Sequence, residues 1–230
     1  MQKSAIFAGL MVLVFIVGGC EDDKKSKLFK TQVCINQSTP ATVAGCSSLL
    51  GNTTGKQAAA LRCSIKFIEA GVTESQIITA LENIDDQNAG QDPTSAAVNS
   101  IKMNTVADST EARQYCDESE SEALIALSYI AHMATIMSIG LASLNSDLEA
   151  AIASFDPNSP PGDLDQAALG QTVIDSQQSL CDTKNGMLKD SEACGNINKA
   201  IECGAGDSSA VANAMIYFSK DGTSVTDACP

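Results

Sequence analysis

Nine cysteines are distributed over this chain of 230 residues, at positions 20, 34, 46, 63, 116, 181, 194, 203 and 229. An odd count means that one of them does something other than pair within the chain. Cys20 is set apart by its surroundings. Lys3 is the only charge before it, and residues 5–17, AIFAGLMVLVFIV, form an uninterrupted apolar run. That run is shorter than the roughly 20 apolar residues that a membrane-spanning helix needs. A positive start, a short apolar core and small residues before the cut have the form of a secretory signal peptide.

Val17-Gly18-Gly19-Cys20 resembles the lipobox of bacterial lipoprotein signal peptides, in which an aliphatic residue and two small ones precede the cysteine. The resemblance covers only the first 20 residues. It implies that the Cys20 thiol is thioether-linked to diacylglycerol, that residues 1–19 are cleaved away, and that Cys20 becomes the new N-terminus. The expected attached group is this covalent lipid on Cys20, with no other cofactor, and the expected first partner is a membrane of the cell envelope. Asp directly after the lipidated cysteine is the inner-membrane retention signal of enteric lipoproteins. Glu21 holds that place here, which favours the outer membrane. Residues 20–30 are short, charged and without helical periodicity, and read as a flexible lipidated tether. The lysines of this stretch, Lys24, Lys25, Lys27 and Lys30, lie near anionic headgroups in this reading, each contributing on the order of 1 kcal/mol.

With Cys20 lipidated, eight cysteines remain, an even number in an exported chain. Four disulfides are then the default. Eight cysteines admit many pairings, and sequence alone does not choose among them. Proximity along the chain suggests Cys34–Cys46, Cys63–Cys116, Cys181–Cys194 and Cys203–Cys229. Zinc sites are disfavoured by the absence of any C-x-x-C pair, and a C-x-x-C-H haem attachment is absent as well.

Charge excludes one class of partner. Past Thr31 there are 9 basic and 25 acidic residues, a net −16. Nucleic-acid binding rests on lysine and arginine neutralising phosphates, so such a field repels it.

Ala, Ser, Asn, Gln and Glu dominate, with apolar residues at helical spacing, and no stretch alternates as a half-buried strand does. The predicted fold is all-α, as a single domain over residues 31–230. Helices are expected over 39–50, 55–70 and 73–84, then from Pro93-Thr94 to about Ala107. Another begins at Thr110-Glu111 and leads into 123–144. Asn145 caps the next. Residues 155–165 hold three prolines and a glycine, a long loop or a possible subdomain boundary. Three more helices follow, with Gly195 and Gly204 as interruptions. Cys63-x-x-x-Phe67-x-x-Ala70 resembles the second helix of tetratricopeptide repeats. Ala214-x-x-x-Phe218 repeats its first two positions, but the signature of the first helix is missing. A disulfide-stapled helical bundle and a short irregular solenoid of helical hairpins both account for these residues.

Residues 123–144, ALIALSYIAHMATIMSIGLASL, are the most apolar stretch after Cys20 and long enough to span a bilayer. They also contain His132, Ser128, Thr135, Ser138 and Ser143, with acidic residues crowding the entrance, which favours the buried central helix of a larger domain. Ala134, Ser138 and Ala142 recur every four residues and would admit a closely packed neighbour.

No constellation compels a catalytic reading. His132 is the only histidine, so any Ser-His or Cys-His machinery must use it, and histidine metal centres are short of ligands. An imidazole bonded to a nearby hydroxyl or backbone group inside an apolar helix is the simpler expectation. Glu74-Ser75 and Glu118-Ser119 match a dipeptide of peptidoglycan-cleaving lipoproteins, but the accompanying glycine-rich motif is absent. The chain also has no Trp and only three Tyr, little with which to stack on sugars. Asp85, Asp86 and Asp92 in one loop, and Asp156, Asp163 and Asp165 in another, are calcium-like in composition. They lack EF-hand spacing and suit ordinary turns. The expectation is therefore a lipid-anchored binding or scaffold module for another envelope component. The alternative is a carrier of a small apolar ligand or divalent cation in a pocket beside 123–144, near His132.

Overall fold

Four helix starts in this protein are fixed by the same device, an oxygen side chain that accepts from the backbone N–H three residues on. Thr105 accepts from Asp108, Asp147 from Ala150, Asp165 from Ala168 and Asp207 from Ala210. Each cap satisfies a donor that the helix itself cannot, worth typically about 1 kcal/mol. The computed structural model describes residues 23–72, 101–182, 192–220 and 228–230, and all regular structure among them is helical. In chain order the elements are α1 (Asp23–Gln37), a 3-10 turn (Val43–Cys46) running into α2 (Ser47–Leu50), α3 (Lys56–Glu69), α4 (Val106–Ser119), α5 (Glu122–Gly140), α6 (Leu148–Ser154), α7 (Gln166–Ser176) with a π turn (Gln177–Cys181), α8 (Glu192–Gly204) and α9 (Ser208–Phe218). The expected helix 73–84 and the start of the one at Pro93 lie outside the described residues.

Four disulfides staple these helices. Cys34–Cys46 closes α1 onto the 3-10 turn, and Cys63–Cys116 joins α3 to α4. Cys181–Cys194 joins the π turn to α8, and Cys203–Cys229 ties α8 to the C-terminal residues. The fold is thus a disulfide-stapled helical bundle.

The polar contacts show how α3 and α4 run. Lys56 pairs with Glu120, Cys63 with Cys116, and Lys66 with Glu111 at 2.8 Å. Rising numbers on one helix meet falling numbers on the other, so the two are antiparallel. The same holds for α7 and α9, where Gln166 bonds Asn213 and Gly170 faces Ser208. Packing proceeds in series, α3 on α4, α4 on α5, α5 on α7, α7 on α9 and α9 on α8.

α3 carries two apolar faces because two cores need it. Ala58, Leu61 and Ile65 join Leu28, Ile35, Val43, Cys46 and Leu50 in a small N-terminal core. Cys63 and Phe67 belong to the main core, which extends from Val72 through α4–α9 to Phe218. Phe155 and Leu164, at the two ends of the proline-rich segment, are both buried in that main core.

α5 is the centre of the main core. Residues 126–137 are buried without interruption, covered by α4, α7, the π turn and Met103. Among the described residues it is the one helix long and apolar enough to cross a membrane, and protein covers it.

The structure corrects several sequence expectations. Residues 23–30 are not a flexible tether but the first half of α1, because Leu28, Thr31 and Ile35 are buried on one side. Residues 102–105 are not helical, so the break before α4 falls at Thr105, which adopts an extended conformation to cap. α4 does not continue into α5. Glu120, at φ 54°, turns the chain in the left-handed region. Asp147, not Asn145, caps α6, while the Asn145 side chain accepts from the Asp147 N–H. Gly195 lies inside α8 rather than interrupting it. A close approach on α5 is at Gly140, where an added Cβ would lie 2.7 Å from Leu164 Cα, and Ala142 is exposed.

Candidate functional site

Where α4, α5 and α7 meet, polar side chains gather around Arg113, next to the one histidine. α4 supplies Ser109, Arg113 and Asp117 at four-residue steps, hence on one face. α5 supplies Tyr129 and His132, and α7 supplies Asp175. Sequence reading found His132 alone of these. The four-residue spacing on α4 was the available signal for Ser109, Arg113 and Asp117, but an all-polar row reads as solvated surface until the opposing helix is known.

His132 Nδ1 lies 2.8 Å from Ser109 Oγ. The Ser109 hydroxyl also donates to Val106 O at 2.9 Å. A proton on Nδ1, donated to Oγ, satisfies both bonds at once. The imidazole is 5 % exposed, and burial lowers its pKa from 6.5 to about 4, with the positive charge of Arg113 acting in the same direction. The ring is therefore neutral at pH 7. A serine–histidine contact is one half of a nucleophilic system, but this serine is 1 % exposed and its hydroxyl hydrogen is directed at a backbone carbonyl. The geometry joins two helices inside the core, as the simpler sequence expectation for this residue has it.

Two further hydroxyls of α5 are also bonded within the protein. Thr135 donates to Ala131 O at 2.6 Å and accepts from the Met103 N–H at 2.9 Å. Ser128 donates to Ile125 O. Both hydroxyls thus have protein partners.

Arg113 is the hub of the outer part of this cluster. It forms an ion pair with Asp175 at 3.6 Å and lies 5.3 Å from the Tyr129 ring centre. Cation–π contact and a half-buried ion pair both gain from partial removal of water. Desolvation raises the Asp117 carboxyl above its ordinary range, Arg113 pulls it back, and the Asp175 charge pushes it up. Desolvation likewise raises the Tyr129 phenol, opposed by its hydrogen bond to Ser179.

The other candidates are placed as follows. Asp156 accepts from the Asn158 N–H at 2.9 Å and Asp165 caps α7, so both organise backbone. Among the described residues no three histidine, cysteine or acidic side chains converge as metal ligands, and Asp156, Asp163 and Asp165 are not brought together as a set. Asp85, Asp86 and Asp92 lie outside the described residues, as do Glu74-Ser75 and Cys20. Ser119 donates to Cys116 O and accepts from the Ser121 N–H, ending α4. A surface depression of about 250 Å³ lies between α6 and the end of α9, lined by Asp147, Glu149, Ile152, Ser219 and Lys220. It is away from His132 and below the roughly 300 Å³ at which ligand pockets begin.

Compared with known proteins, the chain matches no family model, no curated protein and no solved structure.

Proposed function

We propose that this chain is a lipid-anchored module of the cell envelope that acts by binding another envelope component. The observation that carries the reading is the division of labour among the cysteines. Cys34, Cys46, Cys63, Cys116, Cys181, Cys194, Cys203 and Cys229 pair among themselves, which leaves Cys20, the residue of the lipobox-like Val17-Gly18-Gly19-Cys20, for modification. Disulfides persist in oxidising compartments, in keeping with export. Glu21 after the cysteine favours the outer membrane. The internal use of His132 and Ser109 supports binding rather than catalysis.

The test is fractionation of cells expressing Cys20→Ala. The variant should leave the membrane fraction and lose incorporation of labelled palmitate, while the parent retains both. A variant that still fractionates with membranes overturns the anchor. For the binding role, in-cell crosslinking of the anchored protein should capture the same envelope component repeatedly, and capture should depend on intact disulfides.

A further inference from the structure

The bridges are not equally enclosed. Cys63, Cys116, Cys181 and Cys194 are buried in the main core, and Cys46 is buried in the N-terminal one. Cys34 is half-buried, and the Ser38 hydroxyl lies 3.9 Å from its sulfur and 3.2 Å from that of Cys46. Each of these three bridges therefore has at least one cysteine inside a core. Cys203–Cys229 has none. Cys203, in the last turn of α8, is half-buried, and Cys229 is exposed.

What this bridge holds is also different. Residues 228–230 are all exposed, and among the described residues no hydrogen bond or ion pair joins them to the helices. The Sγ–Sγ bond to Cys203 is what ties them to α8. Opening any other bridge disturbs a core. Opening this one frees a chain end and leaves α8 held by other means. Cys181–Cys194 pins its start. At its end Gly204 packs against α9 so closely that an added Cβ would lie 2.7 Å from the Val211 N. Thiol–disulfide exchange requires a thiolate to reach one sulfur of the bridge, so access governs which bridge reacts.

We propose that Cys203–Cys229 is a reversible clasp on the C-terminal end of the chain, opened by a dithiol protein while the other bridges stay closed. The incoming thiolate attacks Cys229 Sγ. The S–S bond breaks, its electron pair passes to Cys203 Sγ, and that sulfur takes up a proton. The second thiol of the partner, as thiolate, then attacks its own sulfur in the mixed disulfide. Cys229 Sγ leaves with the electron pair and is protonated. The partner departs oxidised to a disulfide, and the two bridge cysteines are left as thiols. The proposal goes beyond the anchored-module reading and does not rest on the state of Cys20.

The test uses the full chain. Free thiols are first blocked with N-ethylmaleimide, which marks Cys20 if it carries no lipid and so reads the anchor separately. The protein is then held in graded dithiothreitol, newly freed thiols are alkylated with iodoacetamide, and each cysteine-bearing peptide is weighed. Expected is a species alkylated at Cys203 and Cys229 alone. It should appear at several-fold lower dithiothreitol than any other and keep the helical circular dichroism of the parent. A thioredoxin-type protein whose second active-site cysteine is replaced by serine should be trapped on Cys229. First opening of another bridge, opening of all the bridges in one step, or trapping on another cysteine overturns the proposal. Resistance of Cys203–Cys229 until the chain unfolds overturns it as well. So does loss of the fold in the double variant Cys203→Ser, Cys229→Ser, which would make this bridge a structural staple.

Discussion

Ser109 on α4 and His132 on α5 share a hydrogen bond of 2.8 Å in the interior of the bundle. The contact joins neighbouring helices through the only side chain whose ordinary pKa lies near neutrality. Its consequence is a cost that appears only in acid. The folded imidazole titrates at about 4, the unfolded one near 6.5. Above about pH 6.5 both states are neutral and His132 has no effect on the balance. Between 6.5 and 4 the unfolded chain takes up a proton that the folded chain refuses, so stability falls as pH falls. The full loss, reached below pH 4, is about 3 kcal/mol. Urea unfolding at pH 7.5, 5.5 and 4.5 should show this slope, and His132→Gln should flatten it. Equal slopes in the two proteins would contradict the assignment.

Arg113 should set the titration of its neighbours. Its charge lowers both His132 and Asp117. Arg113→Gln is expected to raise the pKa of both groups. The ring-proton shifts of the single histidine, followed by NMR against pH, read the first, and carboxyl-carbon shifts the second. A downward movement of either would refute the role given to Arg113.

The disulfides should differ in worth. In the loop-closure model, removing Cys63–Cys116, which spans 53 residues, costs about 4 kcal/mol and removing Cys34–Cys46, which spans 12, about 3 kcal/mol. Paired Cys→Ala variants compared by denaturant midpoint test the order. The larger loss should also disturb α4, since Lys66–Glu111 and Lys56–Glu120 depend on the same helix alignment.

Gly170 lies where α7 and α9 approach too closely to admit a side chain. A Cβ placed there would lie 1.7 Å from Ser208 O. Neither backbone can yield without moving α9. Gly170→Ala should destabilise by about 3 kcal/mol, the upper end for overpacking, whereas Gly162→Ala, with nothing within 4 Å, should be close to neutral. Thermal midpoints of the pair are sufficient to check this.

What could be read without the fold depended on whether the governing interaction was local. α3 and α9 were legible because apolar periodicity and the polar or glycine residues at their ends agree. Gly71 does adopt the positive φ, 84°, that suits a residue beyond a helix end. The cap at Thr105 was also local, a Thr three residues before an Asp, and was overlooked beside a longer apolar pattern. α1 was hidden for a different reason. One of its three buried positions is Thr31, whose hydroxyl donates to Lys27 O and so presents a methyl to the core. A pattern that counts threonine as polar finds too few core positions. Gly195 costs roughly 1 kcal/mol of helix propensity, yet Cys194, Ile197 and Ala200 around it are buried, and tertiary packing outweighs the local cost. The cluster around Arg113 depends on three helices that no spacing along the chain brings together.

The order of the bridges has a consequence for how the protein is made. Each of the eight bridged cysteines pairs with the next bridged one in sequence, from Cys34 with Cys46 to Cys203 with Cys229. If the chain is exported from its N-terminus, as proposed, each of these eight emerges with its proper partner next in line. With Cys20 lipidated, oxidation in order of emergence would then yield this set directly, with an oxidant but no reshuffling of wrong pairs.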